Sequence, residues 1–454
     1  MRKILAIAII AVRSAIRSRV VASLLFILAV AMIGLPLTVK GDGTAEGQIQ
    51  ILLNYSLGFA ALILSLSSLW AGCAAISSEI TEKQIQMVAT KPVHRLQIWV
   101  GKWLGLMIVN GTLLVLAGAT CYAMLHARTG SGTYNERELA RLKAEVLVAR
   151  RAIRMPQPDI ADEARKVVDE HIARGELPAN VSPQAAYEAV AQQLLNRANT
   201  VPPGGAKRWD IEMPAGLETA DLALSFRFVA SRLGPAPVAG TWIAGTPESP
   251  ALHQVSATNI AGAMQSVTLP GHLAQEKHVV LGYVNADTSG VSIVFDTAAG
   301  PVLYAKAGEF EPNFVRALLV LLAQLAFMSA LGVTAGSIFS MPVATLIALA
   351  MIFMFKLSGF LGEAATQAVL IPWHGGPQQG PNWADEALRL LFKGVHALAA
   401  PFRGDDVLAQ LSTGQLVSWM AVADIAAVQV VAAVGVLALF GAFVFSRREL
   451  ALPS

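Results

Sequence analysis

Charged side chains are scarce in this chain of 454 residues. Asp, Glu, Lys and Arg make up 14% of it, hydrophobic residues make up 54%, and the mean hydropathy is +0.54. An ordinary soluble domain carries about 25% charged residues. The composition is therefore that of a membrane protein. The net charge is only +3, and no dense stripe of Lys and Arg occurs, so a nucleic-acid partner is excluded.

Cysteine is nearly absent as well. The two cysteines, Cys73 and Cys121, each lie inside an apolar run and outside any CxxC or Cys/His cluster. A disulfide framework and a cysteine metal centre are therefore excluded. His374 precedes two glycines but has no partners at metal-ligand spacing. We predict two buried packing cysteines, a surface-loop histidine and no metal site.

Catalytic motifs are missing too. The sequence contains no GxxxxGK[ST] phosphate loop, no HExxH and no GxSxG. The chain therefore cannot hydrolyse ATP through a phosphate loop, and we do not expect it to be an enzyme. Its energy must come from a partner protein or from an ion gradient.

Long apolar runs, in contrast, are abundant. Windows of about 20 apolar residues cross about 30 Å of hydrocarbon. Lys and Arg collect before the first window, between the second and third, and after the sixth, and positive residues stay cytosolic. We predict a polytopic α-helical membrane protein with six transmembrane helices and both termini in the cytosol. The six windows are residues 20–39, 52–76, 98–125, 314–338, 343–360 and 417–445.

The domain boundaries follow from these windows. Residues 1–19 form a cytosolic interfacial amphipathic helix with Arg2, Arg13, Arg17 and Arg19 at the membrane interface. The alternative is an ordinary positively flanked span with a frayed start. The start lacks a small-residue cleavage pattern, so we predict that it is retained. The other segments are helices one to three in 20–125, an extracytoplasmic insert in 126–313, helices four and five in 314–361, an extracytoplasmic loop and helix in 362–416, helix six in 417–446 and a cytosolic tail in 447–454.

The first part of the insert, residues 134–200, is predicted to be helical. One amphipathic helix is indicated by apolar residues at spacings of three and four. A second helix has Ser182 as its N-cap and Pro183 at its first position, and extends through Asn196. The stripe of the first helix consists of Leu139, Leu142, Val146, Ala149 and Ile153.

The second part of the insert, residues 206–310, is predicted to be a β-sandwich. Apolar residues alternate with polar ones over several short segments separated by Gly/Pro turns. Residues 278–285 and 290–296 are predicted to form a hairpin around an Asp-Thr-Ser-Gly turn. Trp209 and Trp242 are predicted to be core residues rather than ligand platforms.

Two ionisable residues fall inside the predicted spans. At about 1.5 Å per residue, Lys356 in the fifth helix and Asp424 in the sixth both lie about 20 Å from the cytosolic face. We predict an intramembrane charge pair, because each charge removes most of the cost of burying the other. A proton relay and snorkelling of the charges toward the outer interface are the alternatives.

No span carries a polar set specific enough to name a cargo. The scattered polar residues could equally form hydrogen bonds between helices. These residues are Asn54, Tyr55, Asn110, Gln324 and Gln429.

A polar bridge, residues 79–97, separates the second apolar run from the third. Glu79 and Lys83 form an i,i+4 pair that supports a helix, and the Pro92 segment breaks it. We therefore predict a short helical hairpin in the cytosol. Its candidate docking residues are Glu79, Glu82, Lys83, Lys91, Pro92 and Arg95.

Three segments resemble a known family. They are EITEKQIQMVATKPVHRLQIWVGKWLG at 79–105, SIFSMPVAT at 337–345 and SRREL at 446–450. In these segments the chain resembles permease subunits of ABC-2-type ABC transporters, particularly the branch with the permease of nitrous-oxide-reductase maturation systems. The resemblance covers the six spans. It does not cover the insert, which is far larger than the loops of typical members.

The resemblance implies a function and a set of partners. The bridge would be a coupling helix that docks into a separately encoded ABC ATPase, and residues 2–19 would be the interfacial connecting helix. Two permeases, copies or homologues, would face each other in a bacterial inner membrane. ATP and Mg²⁺ would be bound by the ATPase, and this chain itself would hold no cofactor.

Three functions stay open at this stage. The first is export of a lipid, glycan or small molecule. The second is mechanical work on an extracytoplasmic protein or glycan partner, with the insert as a lever. The third is a membrane-anchored extracytoplasmic binding or scaffold protein without an ATPase, for which the bridge would be an ordinary positively charged loop.

Overall fold

The protein is predominantly helical, with a separate region rich in β-sheet. The computed structural model describes residues 2–17, 19–38, 43–82, 93–177, 183–232, 237–249, 253–296, 300–365, 383–399 and 406–447. The helices are α1 (Arg2–Arg17), α2 (Arg19–Thr38), α3 (Ala45–Thr81), α4 (Arg95–Gly130), α5 (Glu136–Glu145), α6 (Ala161–Ala173), α7 (Pro183–Ala198), α8 (Phe310–Ile338), α9 (Met341–Ala364), α10 (Trp383–Ala399), α11 (Val407–Ser412), α12 (Trp419–Ile425) and α13 (Val434–Arg447).

Several helices have the length and composition of membrane spans. Within the described residues four qualify: α3, α4, α8 and the helix Trp419–Arg447. The count becomes five if α1 and the apolar helix after it form one bent span. A π-helical segment, Ala426–Ala433, joins α12 to α13 inside the last of the four.

The chain divides into two compact units. The first contains residues Met1–Val148, Glu309–Gly362 and Phe392–Ser454, and the second contains Ala149–Gly308 and Glu363–Leu391. The helices of membrane length all belong to the first unit.

The closest helix packing in the first unit is between α3 and α8. A Cβ on Gly72 would lie 2.8 Å from the carbonyl oxygen of Ser329, and a Cβ on Gly332 or Gly336 would collide with the α3 backbone. These glycines therefore let two backbones meet at a distance that no other residue allows. The GxxxG spacing of Gly332 and Gly336 thus marks a real helix contact. Cys73 lies in this contact, and both cysteines are buried as predicted.

Buried amides join helices at two further places. Asn110 of α4 donates a hydrogen bond to the hydroxyl of Ser329 in α8, at 3.1 Å. Asn313, also in α8, donates to the Gln415 carbonyl at 2.8 Å and accepts from the Val417 amide at 2.8 Å. Asn313 thereby fixes the connection that leads into α12, because it satisfies two backbone groups of that non-helical segment.

Among its described residues, the second unit contains eleven strands that share one core. The strands are β1 (Val148–Arg154), β2 (Thr200–Val201), β3 (Ala206–Glu212), β4 (Leu222–Phe226), β5 (Phe228–Ala230), β6 (Pro237–Gly245), β7 (His253–Ile260), β8 (Gln265–Leu269), β9 (His278–Asn285), β10 (Ile293–Phe295) and β11 (Val302–Glu309). They form sheets with the orders β1-β11-β4-β8, β2-β10-β5 and β3-β9-β6-β7. Residues of all three sheets meet in one hydrophobic cluster.

Aromatic rings fill the centre of this core. Trp209 stacks on Trp242 with ring centroids 5.9 Å apart, and Phe226 and Tyr283 approach Trp242 at 4.8 and 4.9 Å. Both tryptophans are buried, at 4% and 0% exposure. The prediction that they are core residues is confirmed.

The amphipathic helix predicted from Leu139 to Ile153 is wrong in its second half. Helix α5 ends at Glu145, and β1 begins at Val148 and pairs with β11. Arg150 and Arg151 interrupt the apolar positions between Ala149 and Ile153, which suits a strand at the edge of a sheet better than a buried helix face. The second helix does begin at Pro183 and extends to Ala198. Its predicted cap, Ser182, lies outside the described residues.

The predicted hairpin between residues 278–285 and 290–296 is also wrong. Strand β9 pairs with β3 and β6, whereas β10 pairs with β2 and β5, so the intervening turn carries the chain from one sheet to another. Asp287 stabilises this turn by accepting hydrogen bonds from Ser289 and Val291. These bonds, and above all the one from the Ser289 side chain, lower the pKa of the Asp287 carboxyl group. Asn285 ties the same turn to β2 through the Val201 carbonyl.

The α3–α8 contact predicts the effect of one added methyl group. We expect Gly336→Ala to lower the free energy of unfolding by about 1–3 kcal/mol, because its Cβ meets the Cys73 carbonyl and the helices must separate. Gly435→Ala is the matched control, since nothing lies within 4 Å of that position. Thermal unfolding of the purified chain in detergent measures both. Equal unfolding temperatures for the two variants would contradict the contact.

Candidate coupling site

The described parts of the polar bridge belong to the ends of two long helices. Helix α3 continues through Thr81 with Glu82 as its C-cap, and α4 begins at Arg95 after His94. Lys83, Lys91 and Pro92 lie outside the described residues, so the predicted hairpin between them stays a prediction. Any force that reaches the bridge would pass directly into α3 and α4.

An ion pair joins the two helices just inside these ends. The Lys102 ammonium of α4 donates to the Glu79 carboxylate of α3, and their side chains are only 10% and 26% exposed. Burying one such charge alone is costly, and the partner offsets that cost. Glu79, predicted as a docking residue, is therefore engaged within the chain. Its predicted pairing with Lys83 cannot be compared, because Lys83 is among the undescribed residues.

Aromatic side chains fix the start of α4 to α8 and α13. The rings of Trp99 and Trp103 stack with centroids 6.3 Å apart, and the Trp103 indole N–H donates to the Ala326 carbonyl of α8 at 3.0 Å. The Arg95 guanidinium lies over the ring of Phe445 in α13, at 5.0 Å from its centroid. A cation in this position is attracted by the negative face of the ring.

Helix α1 lies against the same part of α4. A Cβ on Gly101 would come within 2.7 Å of Ile7 Cβ, and a Cβ on Gly105 within 2.6 Å of Ala11 Cβ. The GKWLG motif therefore provides a smooth face on which α1 rests, with Ala8 buried beneath it. We call the cluster of Glu79, Arg95, Trp99, Lys102 and Phe445, together with the glycine face, the coupling base.

The predicted interfacial arginines are on the outer side of α1. Arg2, Arg13 and Arg17 are exposed, and so are large apolar residues of the same helix. The side chain of Arg19, at the start of α2, lies outside what the structure describes. The exposed apolar residues are Leu5, Ile9, Ile10 and Ile16.

The predicted intramembrane charge pair stays a prediction. Asp424 is an exposed residue of α12. Lys356 belongs to α9, but its side chain is not described.

A buried glutamine marks the π-helical segment. Gln429 is 2% exposed, and its side-chain oxygen has no hydrogen-bond partner within the described residues. The segment packs against α8. Short π-helical stretches inside α-helices are frequent at functional sites.

Sequence reasoning missed the partner of Lys102. Lys102 is the fifth residue of the predicted third window, 98–125, and a lysine inside an apolar run requires a nearby acid. Glu79 is the first acidic residue after the preceding apolar window, 52–76, which is the signal that indicates the pair. Of the scattered polar residues, Asn110 does form an interhelical hydrogen bond.

The coupling base offers mechanical connections and no obvious reactive centre. Within the described part of the chain, no group of three or more His, Cys, Asp or Glu is arranged to hold a metal ion. His374 is not among the residues that the structure describes.

No protein-family model matches this chain, and no curated protein or solved structure shows significant similarity to it. The fold alone therefore defines the class of this protein. The protein has several apolar helices compatible with a membrane and a unit rich in β-sheet.

The Glu79–Lys102 pair predicts a non-additive response to mutation. We expect Lys102→Met to lower the free energy of unfolding by about 2 kcal/mol, because it leaves the Glu79 carboxylate buried without a partner. Adding Glu79→Gln should restore most of that loss. Thermal unfolding of Lys102→Met, Glu79→Gln and the double variant, compared with the unaltered chain, completes a double-mutant cycle.

Lys143→Met is the control for this cycle. Lys143 is an exposed residue of α5, and its removal should change stability by less than about 0.5 kcal/mol. A double variant that is no more stable than Lys102→Met would show that the two side chains do not depend on each other.

Proposed function

We propose that this chain is the permease subunit of an ATP-driven ABC transporter in a bacterial inner membrane. The proposal takes α2 and α9 as the two spans beyond the four of full length and apolar character, with both termini cytosolic. The observation that carries it is the coupling base, which ties both ends of the bridge to α1, α8 and α13. A loop that only obeyed topology rules would not need such connections.

In this proposal a separate ABC ATPase docks on the bridge. ATP and Mg²⁺ are held by that partner, and closure of two ATPase subunits moves two bridges, one from each permease of a dimer. Glu82 and Arg95, at the two ends of the bridge, are the described candidates for docking, and Glu79 is paired with Lys102. The ATP-bound and ATP-free states of the ATPase must contact the bridge differently, because otherwise ATP binding does no work on this chain.

The force would then travel through helices that move as bodies. The ion pair joins α3 to α4, the Trp103 indole joins α4 to α8, and the glycine contact joins α3 to α8. Tightly packed helices tilt together rather than deform. The result is a tilt delivered to the opposite ends of α4 and α8, which flank the insert.

The exposed surface of α1 supports the proposal that this helix lies at the cytosolic interface of the membrane. Exposed arginines and exposed apolar residues share a helix whose remaining face rests on α4. Such a helix lies in the headgroup region, where anionic lipids attract the arginines and the apolar side chains enter the hydrocarbon.

A second candidate function is mechanical work on an extracytoplasmic protein or glycan, rather than export. The second unit has its own core of more than twenty buried residues, which suits a rigid lever with a β-sandwich arrangement. The ends of its longer segment, Ala149–Gly308, also meet, because a Cβ on Gly308 would lie 3.9 Å from Ala149 Cβ. In this proposal the connections at these two ends pass a rotation into the unit.

Co-purification tests the ATPase partner. We expect the chain isolated from its native host to bring a subunit that bears GxxxxGK[ST], and the double charge reversal Glu82→Lys/Arg95→Glu to abolish that association. Glu136→Lys/Arg141→Glu, at exposed positions of α5, is the matched control and should retain it.

The other possible outcomes of the co-purification distinguish the alternatives. If Glu82→Lys/Arg95→Glu retains the ATPase, docking through the bridge is wrong. If no ATPase accompanies the unaltered chain, the membrane-anchored scaffold is favoured instead. Glu82→Lys alone, which leaves the Arg95–Phe445 contact intact, separates lost docking from a damaged helix end.

Removal of the longer segment of the second unit, which contains its strands, tests the lever. We expect a chain in which residues 150–307 are replaced by a short Gly/Ser linker to keep ATP turnover with its partner and to show the phenotype of a gene deletion. The linker can be short because residues 149 and 308 are neighbours. A normal phenotype would contradict the lever and leave export as the function.

A further inference from the structure

Two histidines from different elements converge on the surface of the second unit. His253 is the first residue of β7, and His272 lies in the short 3-10 helix Gly271–Gln275. Their Nε2 atoms are 3.1 Å apart, and their ring centroids are 4.8 Å apart. The residues are separated by 19 positions, so the fold rather than local sequence brings them together.

The geometry of the pair matches a chelating site. A zinc ion binds imidazole nitrogens at about 2.0–2.1 Å, so two nitrogens 3.1 Å apart subtend an angle of about 100° at a shared ion. This angle lies between the square-planar and tetrahedral values. Both rings already direct the same nitrogen toward the other ring, as two ligands of one ion must.

Both histidines are held on rigid supports. Strand β7 pairs with β6 along its whole length, with His253 opposite Ala244. The 3-10 helix is anchored by Leu273, which is fully buried, and by a hydrogen bond from the Gln275 side chain to the Leu217 carbonyl, at 3.0 Å. The pair is therefore preorganised, and binding does not require these elements to become ordered.

We propose that His253 and His272 bind a late first-row divalent metal ion such as Zn²⁺. The two imidazoles supply two ligands, and water or a group from a partner molecule completes the coordination. Imidazole suits Zn²⁺, Ni²⁺ and Cu²⁺ and does not suit Mg²⁺ or Ca²⁺, which take oxygen ligands. The proposal is independent of the transport function.

Zinc titration of the full chain tests this site. The protein is purified without a polyhistidine tag, stripped with a chelator and titrated with Zn²⁺ in a calorimeter. We expect one equivalent to bind, and His253→Ala or His272→Ala to weaken that binding by about tenfold or more, since each removes half of the protein ligands. His278→Ala, at an exposed position of β9, is the matched control and should bind like the unaltered chain.

Thermal unfolding provides the second readout. Zn²⁺ should raise the unfolding temperature of the unaltered chain and of His278→Ala, because it binds only the folded pair, and should not raise that of the other two variants. Without metal, all four proteins should unfold alike if the substitutions leave the fold intact. If the unaltered chain takes up no zinc, or if His253→Ala and His272→Ala bind it unchanged, the pair is only a hydrogen bond between two imidazoles.

Discussion

The helical unit depends on the contact of α3 with α8 at Gly72, Gly332 and Gly336. In hydrocarbon, lipid tails are as apolar as leucine, so burial of apolar surface does not drive helices together. Close van der Waals packing must do so, and it requires backbones that meet without intervening side chains. The glycines provide that approach, and Asn110, Asn313 and the coupling base connect the neighbouring helices around it.

The coupling base would let the proposed permease combine rigidity with an input of force. The charges of Glu79 and Lys102 are paired within the chain, which is required where water cannot satisfy them. Its aromatic members fill the space between three helices, and α1 covers the remaining face. A displacement at the bridge therefore has no soft element to absorb it until it reaches the far ends of the helices.

The sequence predicts well whatever depends on neighbouring residues. Long apolar runs identified the main helices, Pro183 marked a helix start, and Trp209 and Trp242 were correctly assigned to a core. The predictions were wrong where pairing with a distant segment of the chain determines the local structure. Residues 146–153 have apolar spacing that suits a helix, but pairing with β11 makes them a strand, and β9 and β10 each prefer strands far away in the chain. The Glu79–Lys102 pair, across 23 positions, was missed for the same reason.

The α3–α8 contact also has a consequence for biogenesis. Gly72 and Gly332 are about 260 residues apart, so a ribosome adding about 5–20 residues per second needs on the order of 10–50 s between them. In the proposed membrane topology, α3 lies in the bilayer throughout that time, with its small-residue face open to lipid or to another chain. The strands of the second unit, which lie between residues 148 and 309, are synthesised in the interval and can form their core before α8 arrives. Assembly of the helices is thus a late event, and the nascent chain is most vulnerable to mispairing while the sheets are forming.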